Sequence, residues 1–413
     1  MKKFTLIFLI SFFINHFSYA QINCNGGRYF DSLFTADTIN DILYGQNINF
    51  DGSTRQLKLD IYLPHGDTVS KRPLIIFAPK GSFIQEDKSE LTMVTLCKAF
   101  ASMGYVAAAI DYRVGVDYLT AYQYPQREFV YAVMRAVHDY RAAIRFFRKD
   151  AATANIYKIN PDLIIAGGSS AGAITALHVA YLDKFSEIPA VIDTTGLGGI
   201  EGLSGNPGYS SSVNYAVNLC GAIADSAWIE PGNIKLISMH GNLDTEVPYA
   251  SAVVSMIIPI MEVDGSASIN LRCQHIGIEN PFYTYKGQAH IPYDTNAGGQ
   301  FHLYMDTTIK YVKNHLYNWI CEGNSGIIEG IQSNATITIA PNPFAEETVV
   351  SVSTSMNNGT FILTDVLGKE IERYENISGK HFTLQKRNLR AGIYFYRLIN
   401  DNNFLGSGKI AIR

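Results

Sequence analysis

Charge is scarce in this chain. Only 17% of its 413 residues are Asp, Glu, Lys or Arg, and the two signs nearly cancel, leaving a formal net charge of −4. No basic stripe stands out, which excludes nucleic acid as an expected partner. Long apolar runs are equally rare. Beyond the extreme N-terminus none approaches the roughly 20 residues that a bilayer crossing demands, so no integral membrane segment is expected in the mature protein. Cysteine is limited to five, Cys24, Cys97, Cys220, Cys273 and Cys321, an odd number that leaves at least one thiol unpaired within the chain. No pattern asks for a metal or a cofactor, and none is expected. What the chain has in quantity is apolar side chain: 47% hydrophobic residues supply a sizeable core and exclude disorder for the bulk of the molecule. A length of 413 residues suggests two domains.

The N-terminus places Lys2 and Lys3 before an apolar run from Phe4 to Ile14 and then Ser18-Tyr19-Ala20, the order of a secretory signal peptide cleaved before Gln21. Asn15 and His16 interrupt the run too early for a membrane anchor. From Leu57 to His290 short apolar runs alternate with segments of helical period, which predicts an α/β domain built on a mostly parallel sheet flanked by helices. Expected strands are Leu57 to Leu63, Pro73 to Ala78, Val106 to Tyr112, Leu163 to Gly167, Ala216 to Ile223, Ile234 to His240 and Phe282 to Tyr285. Several lack polar alternation, as strands buried on both faces do. A helix from Arg127 to Lys149 carries Val133, Val137, Tyr140, Ile144 and Phe147 on one stripe, with Arg135, His138, Arg141, Arg145 and Arg148 largely elsewhere. A last helix is expected over Tyr304 to Ile320.

After Asp193 the glycines from Gly196 to Gly208 read as a long loop or lid. A glycine-rich linker follows the last helix. Beyond it β-branched alternation, with Asn358-Gly359 as a turn signal, predicts a small C-terminal antiparallel β-sandwich of about seven strands. The expected boundaries are 1–20 for the signal peptide, 21–321 for the α/β domain, 322–335 for the linker and 336–413 for the β domain. Cys24 and Cys321 lie at the two ends of the α/β domain, where a bridge would close it; buried unpaired cysteines are the alternative.

Gly168-Ser169-Ser170-Ala171-Gly172 fits the pattern G-x-S-x-G, a weak signal in isolation. Here it follows the apolar run from Leu163 to Gly167 and opens a helix through Ala173, Ala176, Leu177 and Ala180. A strand that turns sharply into a helix displays its central side chain, which makes Ser170 the candidate nucleophile. Its hydroxyl needs an adjacent base at neutral pH. Ser169 is out of register and reads as a hydrogen-bonding residue at the helix start. The acid is expected next in chain order. Asp244, in the loop after the strand ending at Met239, is the candidate, and Glu246 either substitutes for it or, the preferred reading, is a solvated loop charge. The candidate base is His290, in the loop after Phe282 to Tyr285. His240 reads as packing behind the acid loop, and His302 falls near the start of the last helix. The NH of Ala171 and the turn Pro79-Lys80-Gly81-Ser82-Phe83 are the expected oxyanion donors.

Together these segments resemble the carboxylesterase and lipase branch of the α/β-hydrolases over about Leu57 to Tyr317. The acid loop matches that family's His-Gly-x-x-Asp pattern at His240, Gly241 and Asp244, with Val247 and Pro248 behind. The oxyanion turn departs from His-Gly-Gly-x-Phe, since Pro79 stands where the family has His and Lys80 where it has the first Gly. Gly81, Ser82 and Phe83 match, and the resemblance implies that the backbone NH groups of Gly81 and Ser82 bind the oxyanion. Lys80 is expected either as a solvated loop lysine or as an arm toward an anionic substrate group. The C-terminal part resembles sorting domains of the type nine secretion route at Pro341-Asn342-Pro343-Phe344, Thr364 to Lys369, Leu389 to Tyr394 and Gly408-Lys409-Ile410. That resemblance implies type nine secretion machinery as a partner, passage through the periplasm and a secreted or surface-attached product. A carbohydrate-binding sandwich shares the strand patterning.

The expectation that follows is a secreted serine esterase acting through Ser170, His290 and Asp244 on a small or polymer-derived ester. The alternatives are an inactive surface-binding protein on the same fold, using the glycine-rich loop, and a serine peptidase with the same triad. Tyr112, Tyr118, Tyr122 and Tyr124 line an aromatic cleft or are ordinary half-buried surface residues.

Overall fold

The computed structural model describes residues 22–85, 87–255, 258–294, 301–322, 337–365, 370–400 and 403–413. The expected signal peptide, nearly all of the expected linker and Val366 to Lys369 lie outside the described residues. The chain divides into two compact units, Met1–Asn324 and Ser325–Arg413.

In chain order the first unit runs β1 (Ala36–Ile48), β2 (Thr54–Pro64), β3 (Arg72–Ala78), α1 (Leu91–Ser102), β4 (Val106–Ile110), α2 (Tyr118–Gln123), α3 (Pro125–Ala152), β5 (Ile159–Ser169), α4 (Ala171–Tyr181), β6 (Tyr215–Leu219), β7 (Ala222–Ile223), β8 (Lys235–Gly241), β9 (Ser251–Ser255), β10 (Pro259–Gly265), α5 (Ser266–Ile276), β11 (Phe282–Tyr285) and α6 (Phe301–Tyr317). Eight of these strands form one sheet in the order β1-β2-β4-β3-β5-β6-β8-β11. The β1/β2 and β2/β4 pairs are antiparallel, and every later pair is parallel. This is the mostly parallel, helix-flanked sheet that the sequence predicts.

Alternation along β3 shows why both faces need cover. Leu74 and Ile76 join a core with Val137, Tyr140 and Ile144 of α3 and Ile174 of α4, while Ile75 and Phe77 join another with Leu96 and Phe100 of α1 and Met305 and Leu316 of α6. Burying each such side chain stabilises the fold by about 1.5–3 kcal/mol. The single strand expected over Ala216 to Ile223 is two: the chain bends at Cys220, whose φ is +57°, and β7 leaves the main sheet to pair with β10, itself paired with β9. Cys24 and Cys321 are joined by a disulfide, closing a separation of 297 residues. Cys97, Cys220 and Cys273 are free and buried.

The polar stripe of α3 does not face solvent. The residue exposures of His138, Arg141 and Arg145 are 2%, 4% and 3%, because the glycine-rich segment after Asp193 lies over them. His138 donates to Gly199 O at 2.7 Å, Arg145 to Gly205 O at 2.9 Å and Arg148 to Ser210 O at 2.7 Å. Glu201 receives Arg141 and Arg145 at 3.0 and 2.8 Å. The segment is therefore a loop pinned by side chains to backbone carbonyls, and the expected lid is a clamp on a helix. Among the described residues no helix is long and apolar enough to cross a membrane.

The second unit holds β12 (Ile337–Ala340), β13 (Glu347–Thr364), β14 (Glu370–Gln385), β15 (Gly392–Asn400) and β16 (Asn403–Ile412), all antiparallel. Five strands among the described residues replace the expected seven, because β13 and β14 are long strands with internal register shifts. Asn358-Gly359 is one of those irregularities inside β13 and not the hairpin turn that the dipeptide predicts. Val350, Phe361, Leu363, Leu398 and Ile410 form its buried centre.

Candidate active site

The bend between β5 and α4 carries Ser170 at φ +53° and ψ −119°, a strained conformation for a residue with a side chain. It persists because the surroundings determine it. Ser170 N donates to Leu219 O at 2.9 Å, and Ser170 O accepts from Ile174 N at 2.9 Å as α4 begins. A Cβ on Gly172 would fall 2.0 Å from Ala78 O and 2.7 Å from Pro79 O, so only glycine lets the end of β3 pass this close. The elbow is thereby pressed against the turn that follows β3.

The structure brings the three candidate residues of the triad together across separations of 120 and 46 residues. Ser170 Oγ lies 2.8 Å from His290 Nε2, and His290 Nδ1 lies 2.5 Å from Asp244 Oδ2. With Nδ1 donating to the carboxylate, Nε2 is left to accept the hydroxyl proton. The Asp244 side chain is fully buried, and its Oδ1 accepts from the NH groups of Glu246 and Val247, each at 2.9 Å. Burial pushes this carboxyl up, but the hydrogen bonds from His240 and His290 and the electrostatic attraction of those rings outweigh it and hold Asp244 well below the usual carboxylate range.

His240 does more than pack behind the loop. Its Nε2 faces two acceptors, Asp244 Oδ2 at 3.0 Å and Val247 O at 3.2 Å, and so carries the proton. Its Nδ1 lies 2.7 Å from Ser266 Oγ, which also accepts from Asn218 Nδ2 at 2.9 Å. Glu246 is the exposed loop charge that the sequence predicts, its side chain 68% accessible, with Oε2 3.9 Å from His290 Nε2. Ser169 differs from expectation: it ends β5 and its Oγ lies 2.8 Å from Tyr293 OH, whose hydroxyl also reaches Leu219 O at 3.2 Å. His302 lies in α6.

The turn after β3 holds Gly81, Ser82 and Phe83 at φ +133°, +57° and +61°. Ile84 N and Gln85 N both donate to Gly81 O, at 3.0 and 3.1 Å, and a Cβ on Gly81 would fall 1.9 Å from Gln85 O. Pro79 O accepts from Tyr112 OH at 2.9 Å. Ala171 opens α4, where the first NH groups have no carbonyl partner within the helix. Lys80 matches neither expectation. Its side chain is largely covered, and its ammonium is paired with Glu90 at 3.1 Å and with Asp294. Tyr112 is fully buried, whereas Tyr118, Tyr122 and Tyr124 are exposed at 69%, 78% and 47% on and beside α2.

Residues 59–196 match the BD-FAE family model, and residues 338–413 match the secretion system C-terminal sorting domain. The chain carries both domains. The first is an esterase-like α/β-hydrolase domain, and its matched stretch holds the turn after β3 and the elbow at Ser170 but ends before Asp244 and His290. No curated protein matches the chain. Among solved structures it is similar to Thermogutta terrifontis esterase 2 phosphorylated by paraoxon, at 22% identity and a TM-score of 0.47 over 70% of this chain and 95% of that one. The apo form of the same esterase gives 21% identity and a TM-score of 0.47 over 70% and 96%. Its butyrate-bound form gives 20% and 0.48 over 69% and 94%.

Proposed function

We propose that the chain is an exported serine carboxylic ester hydrolase acting through an acyl-enzyme. The observation that supports this reading is the position of His290, whose two ring nitrogens lie within hydrogen-bond reach of Ser170 Oγ and Asp244 Oδ2 at 2.8 and 2.5 Å. Ser170 Oγ attacks the ester carbonyl while its proton passes to Nε2. The imidazolium formed is stabilised by the buried Asp244 carboxylate, and Nε2 returns the proton to the leaving alcohol. Water then repeats the sequence on the acyl-enzyme. The NH groups of Gly81, Ser82 and Ala171 are the donors for the tetrahedral oxyanion, each worth about 3 kcal/mol in the transition state.

The C-terminal module supports export by the type nine route, with delivery to the cell surface or beyond, and the domain limits 21–321 and 336–413 are proposed with it. The substrate is an ester, small or polymer-derived. Ser170→Ala tests the reading: kcat on short-chain aryl esters is expected to fall by at least about 10⁴-fold while thermal unfolding stays within a few degrees. Turnover retained in that variant, or none in the parent protein, rejects it.

A further inference from the structure

Lys80 reaches out of the turn after β3 on the side away from Phe83, which packs on Tyr112 and Phe129. Its side chain is 20% exposed, and its ammonium sits between two carboxylates that are more deeply buried, Glu90 at 15% and Asp294 at 8%. Glu90 Oε2 lies 3.1 Å away on the residue that precedes α1. Asp294 belongs to the segment that carries His290, where its NH donates to Ile291 O at 2.9 Å. The other oxygen of Asp294 accepts from Thr92 Oγ1 of α1 at 3.0 Å.

The segment from His290 to Asp294 is thus fixed at three points. His290 meets Ser170 and Asp244, Tyr293 meets Ser169, and Asp294 meets Lys80 and Thr92. The opposite side of the oxyanion turn is fixed by Tyr112 on Pro79 O and by the close passage of Gly172. Lys80 therefore joins the turn after β3 to the segment that carries His290, through its ion pair with Asp294. Burial raises the Glu90 carboxyl and Lys80 works against that rise, so without the ammonium two carboxyl groups would face each other in a poorly solvated space.

We infer that Lys80 is a positioning residue: its ion pairs with Asp294 and Glu90 set the distance between the backbone donors Gly81 and Ser82 and the imidazole of His290. Lys80 touches no substrate in this account. It replaces the small residue of the resembling family's turn with a tether, and misplacement of reacting groups by about 1 Å costs on the order of 10²-fold in rate. The inference rests on the esterase reading above.

The experiment is steady-state hydrolysis of a short-chain aryl ester, normalised to active sites titrated with a fluorophosphonate, for the full chain and three substitutions. Lys80→Met is expected to lower kcat by about 30-fold with KM within about twofold. Asp294→Asn, which keeps a partner for Thr92, is expected to do the same, and the double variant to be no worse than either single one, since both break one link. Lys80→Arg, which keeps the charge and reach, is expected to stay within about threefold of the parent. Four results overturn the inference: Lys80→Met turning over at the parent rate per titrated site, effects of the two substitutions that multiply, a rise in KM at constant kcat, or failure of the Arg variant to rescue. A parent protein with neither labelling nor turnover overturns the esterase reading itself and the inference with it.

Discussion

Two turns leave the carboxyl-terminal ends of parallel strands in the eight-stranded sheet, the acid loop after β8 and the turn after β3, and they are held by different kinds of contact. The Asp244 carboxylate takes most of its bonds from its own loop. Asp244 takes the NH groups of Glu246 and Val247 and the ring of His240, so its first four partners include three from within four residues in sequence. The turn after β3 is held from far away, by Tyr112, by the elbow at Gly172, and through Lys80 by Glu90 and Asp294. A carboxylate held by its own loop keeps its setting when its surroundings change, although the same loop is joined to the segment after β11 by Leu243 N to Gln288 O at 2.9 Å and Gly287 N to Asn242 Oδ1 at 2.6 Å. A turn held at long range inherits the position of everything it touches.

Substitutions that break each turn separately sharpen this contrast, and the largest effect is expected at the acid. Asp244→Asn should lower kcat by about 10³-fold or more, because an amide presents a donor to Nδ1 and favours the wrong tautomer of His290. The loop should keep its shape, since an amide oxygen still accepts from Glu246 and Val247, and unfolding midpoints measured alongside kinetics check both halves. Gly81→Ala is next, at roughly 10²-fold in kcat: the turn must open to move a Cβ now 1.9 Å from Gln85 O, yet fluorophosphonate labelling of Ser170 should persist more than turnover does. Equal loss of both would place the damage in the elbow instead.

The smallest effect on turnover, none at pH 8, is expected at His138, which anchors the glycine-rich loop away from both turns. Burial pushes this imidazole down to about 4, so it is neutral in the folded protein near neutral pH. Between an unfolded value near 6.5 and about 4 the unfolded chain takes up a proton that the folded chain refuses, so stability falls as pH drops through that window, by on the order of 3 kcal/mol. His178, also pushed down to about 4 by burial, adds to the same slope. His138→Gln should flatten it in urea midpoints measured from pH 7 to pH 4; an unchanged slope would show that His138 is not its source.

The same contrast explains what was legible in the sequence. Ser170 and Asp244 were legible because each follows a buried strand whose apolar run is visible and because β5 turns into α4 within a five-residue pattern, and His290 because it follows the short, half-buried aromatic run of β11. The partners of Lys80 could not, since Glu90 and Asp294 lie 10 and 214 residues away, as the numbering in the chain shows, and no local period links them. The stripe of α3 was read correctly as amphipathic, but Arg141 and Arg145 look solvent-facing until the loop that covers them is in place. Asn358-Gly359 carried a strong local turn signal that lost to the pairing of β13 with β14 and β15 on either side. The hairpin of β9 and β10, and the edge strand β1 with its half-exposed polar pattern, left no clear run to find.

In the proposed mechanism Ser170 is a nucleophile activated by His290, which Asp244 orients. Mass spectrometry of the intact protein and its peptides after brief exposure to a fluorophosphonate tests this directly. One adduct per chain is expected, mapped to the peptide containing Ser170 and formed far more slowly in a His290→Ala variant. An unmodified Ser170 in protein shown to be folded, or an adduct that forms at the same rate without His290, would contradict it.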